Sequence, residues 1–146
     1  MKKTVAINRD NIPCNIPIFG DPDYRTQHCA LEAQEQSAFF EQIRAQYPDS
    51  WGLLATSIQN EAGKDVAVRT AIAKKAGLVT GAPDIIIPGR MTFLCELKRK
   101  DRTKSRIGTA QLDYLLAAQK AGAFVCIALG SEAAWKAFQY WREGSQ

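Results

Sequence analysis

Histidine is almost missing from this chain. His28 stands alone among 146 residues, so the side chain most used as a general base near neutral pH is scarce. It also lies apart from every motif below and reads as a surface or packing residue. The four cysteines, Cys14, Cys29, Cys95 and Cys126, show no CxxC spacing, and Cys14, His28 and Cys29 lack the pattern of a zinc site. Cys95 and Cys126 sit inside apolar runs and read as small core residues. No apolar run approaches the roughly 18 residues of a membrane span. The opening residues Met1 to Ile7 carry two lysines, but Asn8, Arg9 and Asp10 end the apolar stretch too early for a signal peptide. The default compartment is therefore the cytoplasm, where disulfides are not expected. Internal repeats and low-complexity stretches are lacking too.

A hydrophobic content of 46% suits a soluble globule, and the length suits one domain. Net charge is +4, and its placement matters more than its size. Residues 98 to 106 (KRKDRTKSR) hold six basic residues and one acidic; the remainder of the chain carries 13 basic against 14 acidic. The whole positive excess lies in one segment. Such a run is either a solvated charged loop or a track for phosphates.

That basic segment follows directly on the most informative stretch of the chain, PDIII-PGRM-TFLCELK. Strand side chains alternate between faces. Asp84 and Ile86 share one face of a first strand, and Leu94, Glu96 and Lys98 share one face of a second. Pro88-Gly89 turns the first onto the second. Two carboxylates and a lysine then converge at one sheet edge. Carboxylate pairs are hard oxygen ligands for Mg²⁺, and a neighbouring lysine orients water or offsets phosphate charge. A Pro-Asp pair also commonly just opens a strand. The apolar surroundings of Glu96 and Lys98 favour the chemical reading, because charges there cost free energy unless paired with each other, a metal or a ligand. The chemistry indicated is metal-assisted phosphodiester hydrolysis.

Residues 1–29 read as an irregular N-terminal arm rich in turn signals, with a short edge strand at Val5 to Ile7. A single domain follows over 30–146. A helix is predicted from Ala30 to Tyr47, with Phe39, Phe40, Ile43 and Tyr47 as its apolar stripe. Trp51 to Ile58 reads as a strand. A second helix spans 65–76, closed by Gly77. After the 83–99 hairpin, Thr109 caps a third helix, Phe124 to Leu129 forms a buried strand, and Ser131 caps a last helix with Trp135, Phe138 and Trp141 turned inward. These three aromatics read as core and not as a platform for bases. The order gives a mixed β-sheet flanked by helices, an α/β sandwich.

Several motifs occur in a fixed order: Glu32-Ala33-Gln34-Glu35-Gln36 on the opening helix, Asn60, Gly77, Gly81-Ala82-Pro83-Asp84-Ile85, Glu96-Leu97-Lys98, Thr109-Ala110-Gln111 and Ala121-Gly122. In this order the chain, over about residues 30 to 142, resembles the PD-(D/E)XK nucleases with their restriction-endonuclease-like core, and within them the VRR-NUC domain. The resemblance implies that Asp84 and Glu96 ligate Mg²⁺ or Mn²⁺, with the Leu97 carbonyl as a third ligand. Lys98 matches the catalytic lysine. Glu32 matches the acidic residue of the opening helix, binding metal directly or through water, with Glu35 as its rival. Gln111 matches the glutamine that holds the lysine or a phosphate. Where many relatives carry a glycine-rich basic stretch, this chain has a long charged one, Lys100 to Gly108. Arg99, Lys100, Arg102, Lys104 and Arg106 are its candidate DNA contacts, with Arg69, Lys74 and Lys75 on the second helix as the fallback. The implied function is a metal-dependent DNA endonuclease leaving 5′-phosphate and 3′-hydroxyl ends. Small stand-alone members of the family resemble viral proteins and act as homodimers on branched DNA such as four-way junctions. An exonuclease or flap nuclease of the same superfamily, or a non-catalytic DNA-binding module, are the alternatives. Intact Asp84, Glu96 and Lys98 argue against the last.

Overall fold

The structure, a computed structural model, describes residues 3–58, 66–77 and 79–145. Asn60 and the turn expected around it lie outside these residues.

The two most apolar runs form the centre of the molecule. Strand β4 (Phe93–Lys98) and strand β6 (Phe124–Leu129) pair in parallel, with Cys95 opposite Cys126 and Lys98 opposite Leu129. Strand β3 (Ile85–Ile87) returns antiparallel on the other side of β4. Strand β2 (Ile18–Phe19) adds in parallel to β6, giving the order β2-β6-β4-β3. This mixed sheet separates two cores. On one face lie helix α1 (Glu32–Gln46) and helix α5 (Ser131–Ser145). Phe39, Phe93, Phe138 and Trp141 meet there edge to face or tilted, at ring separations of 5.5 to 6.4 Å. Cys95 and Cys126 are fully buried in this core, and burial pushes the Cys95 thiol up. On the opposite face, helix α4 (Thr109–Lys120) covers an aliphatic core of Leu94, Ile107, Leu112, Leu115, Val125, Ile127 and Leu129.

The expected strand at 51–58 is corrected. Trp51–Leu54 is instead a single helical turn, α2, stacked on the end of α1 through a bond from the Gly52 amide to the Tyr47 carbonyl at 2.8 Å. A Cβ at Gly52 would stand 2.6 Å from the Ile43 and Tyr47 carbonyl oxygens. Trp51 packs on Trp141 at 5.1 Å, while Leu53 and Leu54 are exposed. The run is apolar because its tryptophan wedges into the aromatic core, not because a strand is buried. Only Thr56 reaches the sheet, through a bridge to Ile86. Helix α3 (Val66–Lys75) ends, as expected, near Gly77 at φ +109°.

Two cap assignments also change. Thr109 is the first residue of α4 and Gly108 its N-cap; the Gln111 side chain accepts the Gly108 amide at 2.7 Å. Helix α5 is capped from a distance, with the Glu35 carboxylate accepting the Ser131 amide at 3.1 Å. A carboxylate there favours the helix dipole.

The N-terminal segment expected as an arm is laced along the domain. Strand β1 (Thr4–Ala6) pairs antiparallel with strand β5 (Arg106–Gly108) in a separate two-stranded sheet. Ile7, Ile12 and Ile16 are buried in the aliphatic core. Turn residues keep its backbone irregular, while every few residues an isoleucine anchors it.

Candidate active site

The site follows from how β4 alternates. Ile86 exchanges both backbone bonds with Thr56, at 2.9 Å each, so Ile85 and Ile87 turn theirs toward Cys95 and Phe93. Leu97 is the next β4 residue in that series, but β3 has already ended. Its amide instead donates to the Asp84 carboxylate at 2.9 Å. The two backbone groups of a strand residue point the same way, so the Leu97 carbonyl also faces the Asp84 side. Gly81, at φ +90°, brings the approach to β3 against α4; a Cβ there would sit 2.5 Å from the Ala110 carbonyl.

The side chains of Glu96 and Lys98 extend the face that begins at Leu94. Both are buried, at 1% and 5% exposure. Lys98 Nζ lies 3.6 Å from Glu96 Oε1 and 3.7 Å from Glu32 Oε1, and 3.4 Å from Gln111 Oε1. Gln111 Nε2 donates to Glu96 Oε1 at 2.7 Å. One amide thus holds the acid, the base and the start of α4 together. Glu96 Oε2 is buried with no hydrogen-bond partner. Burial first, then the Asp84 charge, pushes the Glu96 carboxyl well above the usual carboxylate range, against the opposing pull of Lys98.

Two neighbouring carboxylates with an orphaned buried oxygen call for a proton or a cation between them. Asp84, Glu96 and the Leu97 carbonyl are all hard oxygen donors and fit Mg²⁺ or Mn²⁺. Among the described residues, no three of His, Cys, Asp and Glu gather into a metal-binding group. Glu32 accordingly meets Lys98 and, at 3.5 Å, the Ser105 hydroxyl, whereas Glu35 faces the start of α5. Of the two rivals, Glu32 is the one beside the lysine.

The basic segment is arranged differently from a solvated loop. Arg99 donates to the Ala30 carbonyl at 2.9 Å and to the Cys29 carbonyl at 2.6 Å. Lys100 lies over the Tyr24 ring at 4.5 Å. Arg102 donates to the Pro22 carbonyl at 2.9 Å, and Arg106 reaches both the hydroxyl and the carbonyl of Thr4. Lys104 is exposed. Four of the five candidate phosphate contacts therefore also grip the N-terminal segment. Arg69, Lys74 and Lys75 lie on the surface of α3.

Sequence reasoning passed over two residues here. Asp101 is buried and accepts the Thr26 and Thr103 amides at 3.1 and 3.0 Å and the Thr103 hydroxyl at 2.6 Å, with Arg25 at 3.9 Å. The Thr103 hydroxyl above all holds its carboxyl below the usual range, against a smaller opposing effect of burial. Ser105, also buried, accepts the Arg99 amide at 3.2 Å and faces Glu32. One acid among six cations was the available signal for Asp101; a serine in such a run carries none.

No family model matches the chain, and no curated protein matches it. Among solved structures it is similar to a "VRR_NUC domain protein" with a TM-score of 0.65 and 20% sequence identity, over 80% of this chain and 93% of that chain. The mixed sheet flanked by helices is consistent with that likeness, and the chain has the VRR-NUC fold.

Proposed function

We propose that this chain is a metal-dependent deoxyribonuclease that cuts phosphodiester bonds at the Asp84–Glu96–Lys98 edge. The observation that carries this reading is the orphaned Glu96 oxygen beside Asp84, held in a buried network that ends in Lys98. Asp84, Glu96 and the Leu97 carbonyl would hold Mg²⁺ or Mn²⁺. When bound, the ion offsets developing phosphoryl charge and lowers the pKa of coordinated water. Lys98, fixed by Gln111 and Glu32, orients a water for in-line attack and faces the phosphate with a compact charge. Glu32 balances Lys98 and would help to hold the ion, directly or through water. Gln111 keeps Glu96 and Lys98 in register. Lys100, Lys104 and Arg106, exposed along the basic segment, contact the DNA backbone, with Arg102 beside them.

The finer reading is an endonuclease selective for branched DNA such as four-way junctions. One chain supplies one site, and a symmetric pair of cuts needs two, so a homodimer is the matching assembly. Among the described residues no helix is long and apolar enough to cross a membrane. Incubation with Mn²⁺ and a panel of linear, flap and four-way DNAs tests both levels. Cleavage of the four-way substrate at paired positions is the expected result. End-dependent shortening would instead identify an exonuclease, and no divalent-dependent cleavage of any DNA would sink the enzymatic reading.

A further inference from the structure

The start of α1 carries a side chain of the proposed site, yet no apolar packing holds it. From Glu32 the first buried residue along the helix is Phe39, two turns on. Its N-cap, Leu31, has no polar side chain to cap with, and the first turn closes only on itself, the Gln34 side chain accepting the Leu31 amide at 2.9 Å. Polar ties do the holding: the Glu35 carboxylate takes the Ser131 amide, Gln36 donates to the Ser57 hydroxyl at 2.6 Å, and Arg99 donates to the carbonyls of Cys29 and Ala30. Of the ties that reach beyond α1 itself, the Arg99 tie is the one placed just ahead of Glu32. Arg99 also follows Lys98 directly, and its amide binds the Ser105 hydroxyl that faces Glu32 Oε2. One residue thus links the end of β4, the serine beneath Glu32 and the chain leading into α1.

We propose that Arg99 is a positioning residue, not a phosphate contact: its guanidinium clamps Cys29 and Ala30 so that Glu32 stands against Lys98. This rests on the reading of Lys98 and Glu32 as parts of the active site. The clamp needs the planar fork of arginine, which presents two donors to two successive carbonyls at once. A phosphate contact would need mainly positive charge, which lysine also supplies.

The two roles separate in one set of measurements on Arg99→Gln and Arg99→Lys. DNA affinity is read across a salt series in Ca²⁺, and single-turnover cleavage at saturating DNA in Mn²⁺. With the clamp, both variants lose rate by about 10- to 100-fold, the scale expected when a reacting group is displaced by about an ångström. Affinity and its salt slope stay as in the wild type, and lysine does not rescue. In a Glu32→Gln background, Arg99→Gln adds no further loss, because both changes remove the same placement. A shallower slope by about 0.9 that lysine restores, or losses that multiply with Glu32→Gln, would overturn the proposal. Hydrogen exchange at residues 31–36 of the DNA-free protein gives a readout independent of cleavage. Faster exchange there in Arg99→Gln, with little change in Tm, is expected, and unchanged exchange overturns the clamp. If the wild type cleaves no DNA, the proposed function falls while the exchange result still decides the clamp.

Discussion

The two faces of β4 begin alike and end differently. Toward α1 and α5 the strand shows Phe93, Cys95 and Leu97, all buried in the aromatic core. Toward α4 it shows Leu94 and then turns polar, with Glu96 and Lys98 equally buried. The first face lowers the free energy of the fold. The second raises it, because it carries a carboxylate oxygen with no partner next to a second acid. The same six residues thus serve stability on one side and concentrate unmet chemistry on the other.

The comparison breaks most sharply on exchanging the two kinds of residue. Asp84→Ala or Glu96→Gln should lower single-turnover cleavage by about a thousandfold or more, since each removes a proposed ligand to a hard cation. Glu96→Gln should at the same time hold or raise the Tm of the metal-free protein, because an amide in place of the second acid removes its repulsion with Asp84 and supplies a donor, while Glu32 still faces Lys98. Phe138→Ala should do the reverse, lowering stability by about 3–5 kcal/mol through the cavity left in the aromatic core. Denaturant melts and cleavage assays on both variants check this; a Glu96→Gln protein that cleaves at the wild-type rate would refute the site.

Lys98→Arg sharpens the polar side further. If geometry matters beyond charge, arginine should leave activity near that of Lys98→Ala, because its fork does not fit the pocket between Glu32, Glu96 and Gln111. Full activity in single-turnover assays of Lys98→Arg would reduce the lysine to a point charge. A smaller effect is expected at Asp101, whose native carboxyl is more acidic than in the unfolded chain. Its contribution is present above the unfolded value of about pH 4 and fades as pH falls through the lowered native value. Asp101→Asn should therefore lower Tm at neutral pH, and the gap to wild type should close in acid. A gap constant from pH 7 to pH 2 would refute that role. Smallest is Lys104→Ala: if this exposed cation meets one phosphate, the salt slope of binding should become shallower by up to about 0.9, with turnover nearly unchanged.

Much of this was legible in the sequence where local pattern and tertiary role coincide. The runs Phe93–Lys98 and Phe124–Leu129 are apolar because both faces are buried, and period-2 reasoning placed Glu96 with Lys98 on one face. Misreading followed where an apolar residue served something non-local. Trp51 belongs to the packing of α5, so its neighbours looked like a strand and form a helical turn. Gln111 caps α4 from three residues along, a local signal passed over in favour of Thr109, whereas Glu35 caps α5 from nearly a hundred positions away in sequence, which no local signal encodes. For the basic segment, composition revealed the charge but not its direction. Four of its cations point back at carbonyls, a hydroxyl and a ring of residues 4–30.

The pairing of β2 with β6 sets an order on synthesis. Ile18 leaves the ribosome early, yet its partner Ile127 lies more than a hundred residues downstream, and β1 waits similarly for β5. Residues 4–6 and 18–19 are therefore seated only after much of the domain that follows them has been made. Closing so long a loop is entropically costly before any contact rewards it, and such non-local pairing slows folding. Until β4, α4 and β6 have all emerged, the core that Ile7, Ile12 and Ile16 enter is incomplete, and these three apolar side chains stay open to other contacts on the growing chain.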